Sequence, residues 1–525
     1  MKRLLFILIA CNLSLITSFA QTPSWAKKAA QGVFTLKTFT ADGQLIGSSN
    51  GFFINEQGEA ISTFNPFKNA YRAIVIDAQG KEWAVENIIG ANDMYDVAKF
   101  QVAVKKPTTL TIATTSATKG ATLWLLPYTA KKAPVCEPGT VEEAEVFQNS
   151  YSYYTLNMQT SEQQVGCPIL NDAGEVLGML QPAAGGQSEK AYAVSAAFVA
   201  DMKANGLSFN DGTLRQTHIA KALPEKYDEA MLALYMAAGA MNSEDYSDYI
   251  NRFIGKFPNM PDGYIYRARV AVSNNEFASA DADMKQALKV ADKKDDVYYQ
   301  YAQMIYQKEV LQSDQPYEPW SMDRALEESK AAYAANPQPV YRQQQAQILF
   351  AQQKYDEACN IYLELTKSDL QTSEMYYAAS QCKLQQGDKR EAMVLLDSAV
   401  NQFTRPYVKT AAPFLRARAQ LSMENRRFQQ AINDMNDLVA LVPTNPELWA
   451  KKASYELRVN LADQALESAQ ECLRLDPEGS DGYLMSGIAQ CLKGDKEQGL
   501  KNLQKAKELG NDQAQTFIEK YSKLD

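Results

Sequence analysis

Residues 162–180 read EQQVGCPILNDAGEVLGML. The run Asn171-Asp172-Ala173-Gly174 is a turn signal set between two short apolar segments, so the stretch predicts a β-hairpin. The same grammar extends outward over residues 31 to about 200. Val33, Phe34 and Leu36 begin an extended segment that stops at Ala41-Asp42-Gly43. NGFFINEQGEAIST turns at Glu56-Gln57-Gly58, and AIVIDAQGKEWAVE turns at Ala78-Gln79-Gly80, between β-branched and aromatic flanks. ATLWLLPY and SYSYYTLNM add further strands. Many short strands with a turn every ten or so residues predict an all-β barrel or sandwich.

From about Tyr227 the period changes from that of strands to that of helices, and the pattern repeats. Small residues recur at Ala280, Ala325, Ala358, Ala392, Ala431, Ala465 and Gly499, at intervals of 45, 33, 34, 39, 34 and 34 residues. Helix-ending prolines fall in KFPNMPD, AANPQP, LVPTNP and LDPEGS, and Tyr355 and Phe428 stand three residues before Ala358 and Ala431. Trp449, Tyr376 and Tyr483 hold the aromatic position early in the first helix of a pair. A period of about 34 residues resembles the tetratricopeptide repeat (TPR), a helical hairpin whose small residues let two helices touch. The resemblance implies an all-α solenoid over residues 227–525. It contains about eight repeats, with Tyr246 in a degenerate first one and a capping helix at Gln513–Lys523. The long intervals mark two insertions, KEVLQSDQPYEPWSMDR and the loop holding FTRPYVKTAAP. Two readings of them stay open, an elaborated binding surface and tolerated surface loops.

At 525 residues the chain exceeds one ordinary core. Its net charge of −9 and lack of a basic run argue against a nucleic-acid partner. Lys2 and Arg3, the apolar run Leu4 to Ile16 and Ser18-Phe19-Ala20 predict a signal peptide over 1–20, cleaved after Ala20. An alternative takes Leu8-Ile9-Ala10-Cys11 as a lipobox with a lipid anchor at Cys11. Past this segment no apolar run is long enough for a membrane span. The expected location is the bacterial periplasm or an outer-membrane-associated surface. Six cysteines remain after cleavage, with Cys136–Cys167 the first pair to test for a disulfide and six buried free thiols the competing reading. The chain has no CxxC and a single histidine, His218, so neither a metal site nor a cofactor is expected.

Four segments in order make residues 21–205 similar to a trypsin-like serine peptidase domain of the HtrA type. SSNGFFINEQGEAIST resembles the strand and hairpin leading to the catalytic histidine, and IIGANDMYDVAKFQV the strand bearing the aspartate. VGCPILNDAGEVLGM resembles the nucleophile loop, and KAYAVSAAFVADM the closing strand and helix. The resemblance implies a double β-barrel. It also implies that the triad positions are Asn65 for the histidine, Asp96 for the aspartate and Val165 for the serine. Acyl transfer of this class needs a hydroxyl nucleophile, an imidazole base and an oxyanion hole. Valine offers no lone pair, and the amide of asparagine is no base near neutral pH. Cys167, where the family has a second loop glycine, would need a base to lower its thiol pKa, and no histidine lies in this region. A pseudopeptidase is therefore expected, whose cleft can still hold a peptide as an added strand.

The TPR resemblance implies that positions 2, 5, 9 and 12 of each repeat face the concave side. Position 5 then reads Tyr299, Gln343, Tyr377 and Arg416 in four consecutive repeats, and position 9 reads Gln303, Gln347, Gln381 and Gln420. A glutamine ladder can bind the backbone of an extended peptide, with tyrosine supplying rigid contact area. The competing reading is that glutamine is simply a good helix former. The segment 206–226 is a linker whose Leu and Ile residues predict packing on a domain. Function follows as an expectation: an exported, non-catalytic scaffold or adaptor for a protein or peptide partner. The alternative is an active envelope serine- or cysteine-type peptidase with unorthodox residues. A carbohydrate-associated accessory role has only dispersed aromatics in its favour.

Overall fold

The computed structural model describes residues 22–130, 134–148, 150–183, 190–370 and 372–523. The expected signal peptide and the Cys11 lipobox lie outside the described residues. The chain forms two compact units, Met1–Pro258 and Asn259–Asp525.

Among the described residues the first unit holds twelve strands in two closed six-stranded antiparallel barrels. β1 Val33–Phe39, β2 Leu45–Phe53, β3 Glu59–Ser62, β4 Arg72–Ile76, β5 Glu82–Asn92 and β6 Val97–Val102 close in the order β1-β2-β3-β6-β5-β4. β7 Thr122–Leu125, β8 Glu137–Phe147, β9 Tyr151–Asn157, β10 Pro168–Leu170, β11 Val176–Leu180 and β12 Lys190–Ser195 close as β10-β11-β12-β9-β8-β7. Closure removes the exposed edges that a sheet of this size would otherwise present. Phe34, Phe53, Phe67 and Phe100 fill the first barrel, and Leu123, Leu125, Leu156 and Leu180 the second. A third apolar cluster, with Val33, Phe52, Leu170 and Val194, joins them. The opening hairpin pairs Pro168 with Met179 and Ile169 with Gly178, around a tight turn at Gly174.

The segment 206–226 lies along the first barrel. Leu214 and Ile219 enter its core, the Ile88 amide donates to the Ala220 carbonyl at 2.8 Å, and Lys221 bridges in parallel to Ile88. Helices Tyr227–Ala238 and Ser243–Lys256 belong to the same unit, with the Phe209 and Tyr249 rings 5.1 Å apart. Long-range contact thus draws the unit boundary after the first helical hairpin.

The second unit contains fifteen α-helices among the described residues, from Asp262–Ser273 to Ala514–Ser522. They are paired as seven hairpins and a final helix, consistent with a TPR solenoid. The repeating alanines sit where helices touch: Ala280, Ala325, Ala358, Ala392, Ala431 and Ala465 are all fully buried. A side-chain carbon on Gly499 would crowd the Gly487 carbonyl at 2.8 Å, which explains glycine in the last repeat. The first insertion is anchored at its far end. Trp320 is 3% exposed, and its indole N–H donates to Asp281 Oδ1 at 3.0 Å among the rings of Phe277, Tyr301 and Tyr317. Of the second insertion, Phe403 stacks on Phe414 and Arg405 pairs with Asp437 at 2.6 Å.

Candidate functional site

The three positions that the resemblance matches to a triad are built into three different elements. Asn65 opens the 3₁₀ turn Asn65–Phe67 that follows β3, Asp96 stands at the β5–β6 turn, and Val165 ends the 3₁₀ turn Glu162–Gln164. Asn65 and Asp96 meet: the Asn65 backbone N–H donates to Asp96 Oδ1 at 2.6 Å. Burial raises the Asp96 pKa above the ordinary carboxylate value, opposed by the backbone N–H groups of Asn65 and Phe64. Asp96 adopts φ +47°, a left-handed conformation that Asp tolerates through its short polar side chain. Its carboxylate therefore caps a turn.

Val165 is held by β2. The Asn50 backbone N–H and side-chain Nδ2 both donate to the Val165 carbonyl at 3.1 Å, and Nδ2 reaches the Gln163 carbonyl at 2.7 Å. Gly166 has φ +84°, and a side-chain carbon there would collide with the Asn50 carbonyl, so glycine is required. On its other side Asn50 accepts Ser62 Oγ at 2.6 Å, three residues before Asn65. The loop also closes on itself. The Val165 N–H donates to the Glu162 carbonyl at 3.3 Å, and Gln164 N–H to the Ser161 carbonyl at 3.0 Å. Gln164 Oε1 accepts the Ser161 N–H at 2.8 Å, and its Nε2 donates to Glu137 Oε1 at 2.7 Å. An oxyanion hole works by aiming free donors at a developing charge, and the Val165 N–H is already engaged within its own turn.

Cys136 and Cys167 are both free, so the disulfide considered from sequence is not formed; the other four cysteines after residue 22 are free thiols too. Cys167 is fully buried in the second barrel, and burial pushes its thiol up to about 12, away from the thiolate a nucleophile needs. His218 stacks on Tyr71 with ring centroids 4.0 Å apart, and its backbone N–H donates to the Ala70 carbonyl. Beside the loop lies a cleft of about 750 Å³ lined by Thr35, Ser48, Ser49, Asn50, Gln163 and Glu137, among others. It is polar, and burial raises the pKa of Glu137 against the opposing hydrogen bond from Gln164.

In the second unit the proposed ladder residues occupy the first helices of four successive hairpins. Tyr299 and Gln303 meet at Gln344, whose Nε2 donates to the Tyr299 carbonyl at 3.0 Å and lies 3.4 Å from Gln303 Oε1. Gln343 is half-buried and Gln347 exposed on Pro339–Ala351, while Gln381 is half-buried on Thr372–Gln385. Tyr377 packs on Phe414 with centroids 5.7 Å apart, so part of its ring serves the core. Arg416 and Gln420 are exposed and share a cavity of about 280 Å³ with Glu447, Lys451 and Tyr455. A second cavity of about 530 Å³ continues from Glu447 and Lys451 to Ser454, Asp481 and Asn511. The ladder ends at Gln420 because glutamine ceases there; the spacing itself continues to Ala450 and Ser454, both of which line this second cavity. Asn50 carried no signal beyond standing in the matched strand, since its role depends on a loop far along the chain.

Among the described residues no group of three or more His, Cys, Asp or Glu is placed to hold a metal ion, and no helix is long and apolar enough to cross a membrane.

Residues 48–179 match the trypsin-like peptidase domain family. The chain is 27% identical over 106 residues to the small glutamine-rich tetratricopeptide repeat-containing protein 2 of Saccharomyces cerevisiae, covering 20% of this chain and 31% of that protein. It is 29% identical over 98 residues to the TPR repeat-containing thioredoxin TDX of Arabidopsis thaliana, covering 19% and 26%. The chain thus spans less than a third of the length of these curated relatives. Among solved structures, the active form of the Rv3671c protease from M. tuberculosis aligns with TM-score 0.30 and 18% identity over 37% of this chain and 84% of that one. The HtrA-type protease AlgW with a decapeptide aligns with TM-score 0.28 and 14% identity over 33% and 64%.

Proposed function

We propose that this chain, a trypsin-like double barrel followed by a TPR array, is an exported non-catalytic scaffold that binds a protein or extended peptide. The observation that carries the reading is the state of the nucleophile loop. Its nucleophile position is a valine, that valine's N–H is spent on the Glu162 carbonyl, and its carbonyl is gripped by Asn50. The nucleophile, the base and one oxyanion donor are therefore missing together, in support of a pseudopeptidase. Cys167, as a fully buried thiol raised to about 12, is a poor substitute.

In this reading the partner lies along the polar cleft at Ser48–Asn50 and along the concave ladder of Tyr299, Gln303, Gln343, Gln347, Tyr377, Gln381, Arg416 and Gln420. The signal-like N-terminus supports export to the periplasm or the outer membrane. Two experiments test the proposal. Unfolded casein incubated with the purified chain and with C167A should remain intact in both; thiol-dependent cleavage would establish the peptidase alternative. Crosslinking in the native envelope followed by mass spectrometry should recover a protein partner from the wild type. The Q347A/Q381A/Q420A triple variant should lose it, and unchanged recovery would remove the ladder from the binding site.

A further inference from the structure

Away from the emptied cleft, the first unit encloses a second cavity of about 570 Å³, between β3, β5 and β6 of the first barrel and the hairpin Tyr227–Lys256. Ile89, Met202, Ala222 and Leu223 give it apolar walls. Lys99, Lys203, Lys226, Arg252 and Lys256 also border it, together with three glutamates. Each glutamate is already paired with a lysine: Glu59 with Lys99 at 3.0 Å, Glu225 with Lys256 at 2.6 Å and Glu229 with Lys226 at 3.5 Å. Two cations are left over in a chain whose net charge is −9.

Arg252 is the more telling of them. Its Nη1 donates to the Lys221 carbonyl at 3.3 Å, and its guanidinium lies 5.0 Å from the Tyr249 ring centroid. It makes no ion pair among the described residues; Glu86 and Asp248 favour its charge only through space. Burial nevertheless lowers its pKa, so the guanidinium bears a desolvation cost that these more distant carboxylates offset only in part and no paired carboxylate removes. A planar fork with unused donors, set beside apolar walls in a cavity of ligand size, is suited to one kind of guest.

We propose that this cavity binds a small organic anion, a carboxylate or phosphate monoester on an apolar body. Arg252 takes the anionic head, Met202 and Leu223 contact the body, and Lys203 adds charge at the rim. The site is independent of the scaffold reading and of the cleft beside Val165.

Titration calorimetry of the full chain with 4-phenylbutyrate, phenyl phosphate and the uncharged 4-phenylbutyramide tests it. At least one acid should bind, the amide should bind at least about tenfold more weakly, and R252Q should weaken the acid by about tenfold or more. K203Q should weaken it by a smaller factor, and added salt should weaken it further. The two acids also separate carboxylate from phosphate recognition. Binding of the amide as tight as that of the acids, or no binding by any of the three, overturns the proposal. So does an R252Q protein with unchanged melting temperature and wild-type affinity. Should R252Q fail to fold, the acid–amide contrast and K203Q decide the matter on folded protein.

Discussion

Asn50 holds Val165: its backbone N–H and its Nδ2 both reach the Val165 carbonyl at 3.1 Å, across a sequence separation of 115 residues. The strand of one barrel thereby clamps the loop of the other at the position that the sequence resemblance matches to a nucleophile. Asn50 is 7% exposed and its Oδ1 also accepts the Thr35 hydroxyl at 3.2 Å, so the amide is satisfied on both ends.

N50A should therefore destabilise the first unit. It leaves the Gln163 carbonyl and the Thr35 hydroxyl without that partner, at a cost of about 1–3 kcal/mol. The backbone N–H to Val165 persists, so the loop should loosen without detaching. Urea denaturation and the rate of protease nicking within residues 161–165 measure both effects.

Placing the side chains of a serine peptidase triad at positions 65 and 165 should not confer hydrolysis. In N65H/V165S the new serine still has its backbone N–H engaged by the Glu162 carbonyl, so one oxyanion donor stays occupied. Hydrolysis of labelled casein by this variant should equal that of wild type. Turnover well above wild type would show that the loop can open into a working hole.

Asp96 separates a turn cap from a catalytic acid. Burial raises its pKa in the folded state, so its stabilising contribution is complete below the ordinary carboxylate range and lost as pH rises through the raised value. At neutral pH its charge is thus a cost. D96N keeps an acceptor for the Asn65 N–H, tolerates the left-handed backbone and removes the charge, so its melting temperature at pH 7 should equal or exceed wild type. D96A loses the acceptor and should melt lower.

In the helical unit, Arg418 grips Asp434 with two bonds, Nε to Oδ2 at 3.0 Å and Nη2 to Oδ1 at 2.7 Å. Both side chains are nearly fully buried. R418M should cost about 3–5 kcal/mol, because it leaves a buried carboxylate unpaired. R418M/D434L should recover most of that loss. The helical circular dichroism of the two variants in urea checks this, and equal midpoints would contradict it.

Arg267 and Asp283 repeat the relationship at the same 16-residue separation, with bonds of 2.8 and 2.7 Å, and Lys452 reaches Ser468 in the same register. This clasp between the two helices of a hairpin was not read from the sequence, although its spacing is regular, because the pattern of small residues hid it. The first insertion, KEVLQSDQPYEPWSMDR, was legible as an insertion and no further. Whether it projects or packs depends on Trp320 meeting Asp281, 39 residues away and in the preceding hairpin.

Local pattern alone determined the two grammars of this chain: the two-residue period and turn glycines of the barrels, and the repeat of about 34 residues in the helices. It also determined the chemistry of positions 65, 96 and 165, since a side chain's functional groups are the same in any fold. Tertiary structure decided the rest. The grip of Asn50 on Val165, the anchoring of Trp320, the packing of the linker on Ile88 and the unpaired state of Arg252 all depend on segments distant in sequence. No periodicity encodes such meetings, because each is a matter of which groups burial leaves to satisfy one another.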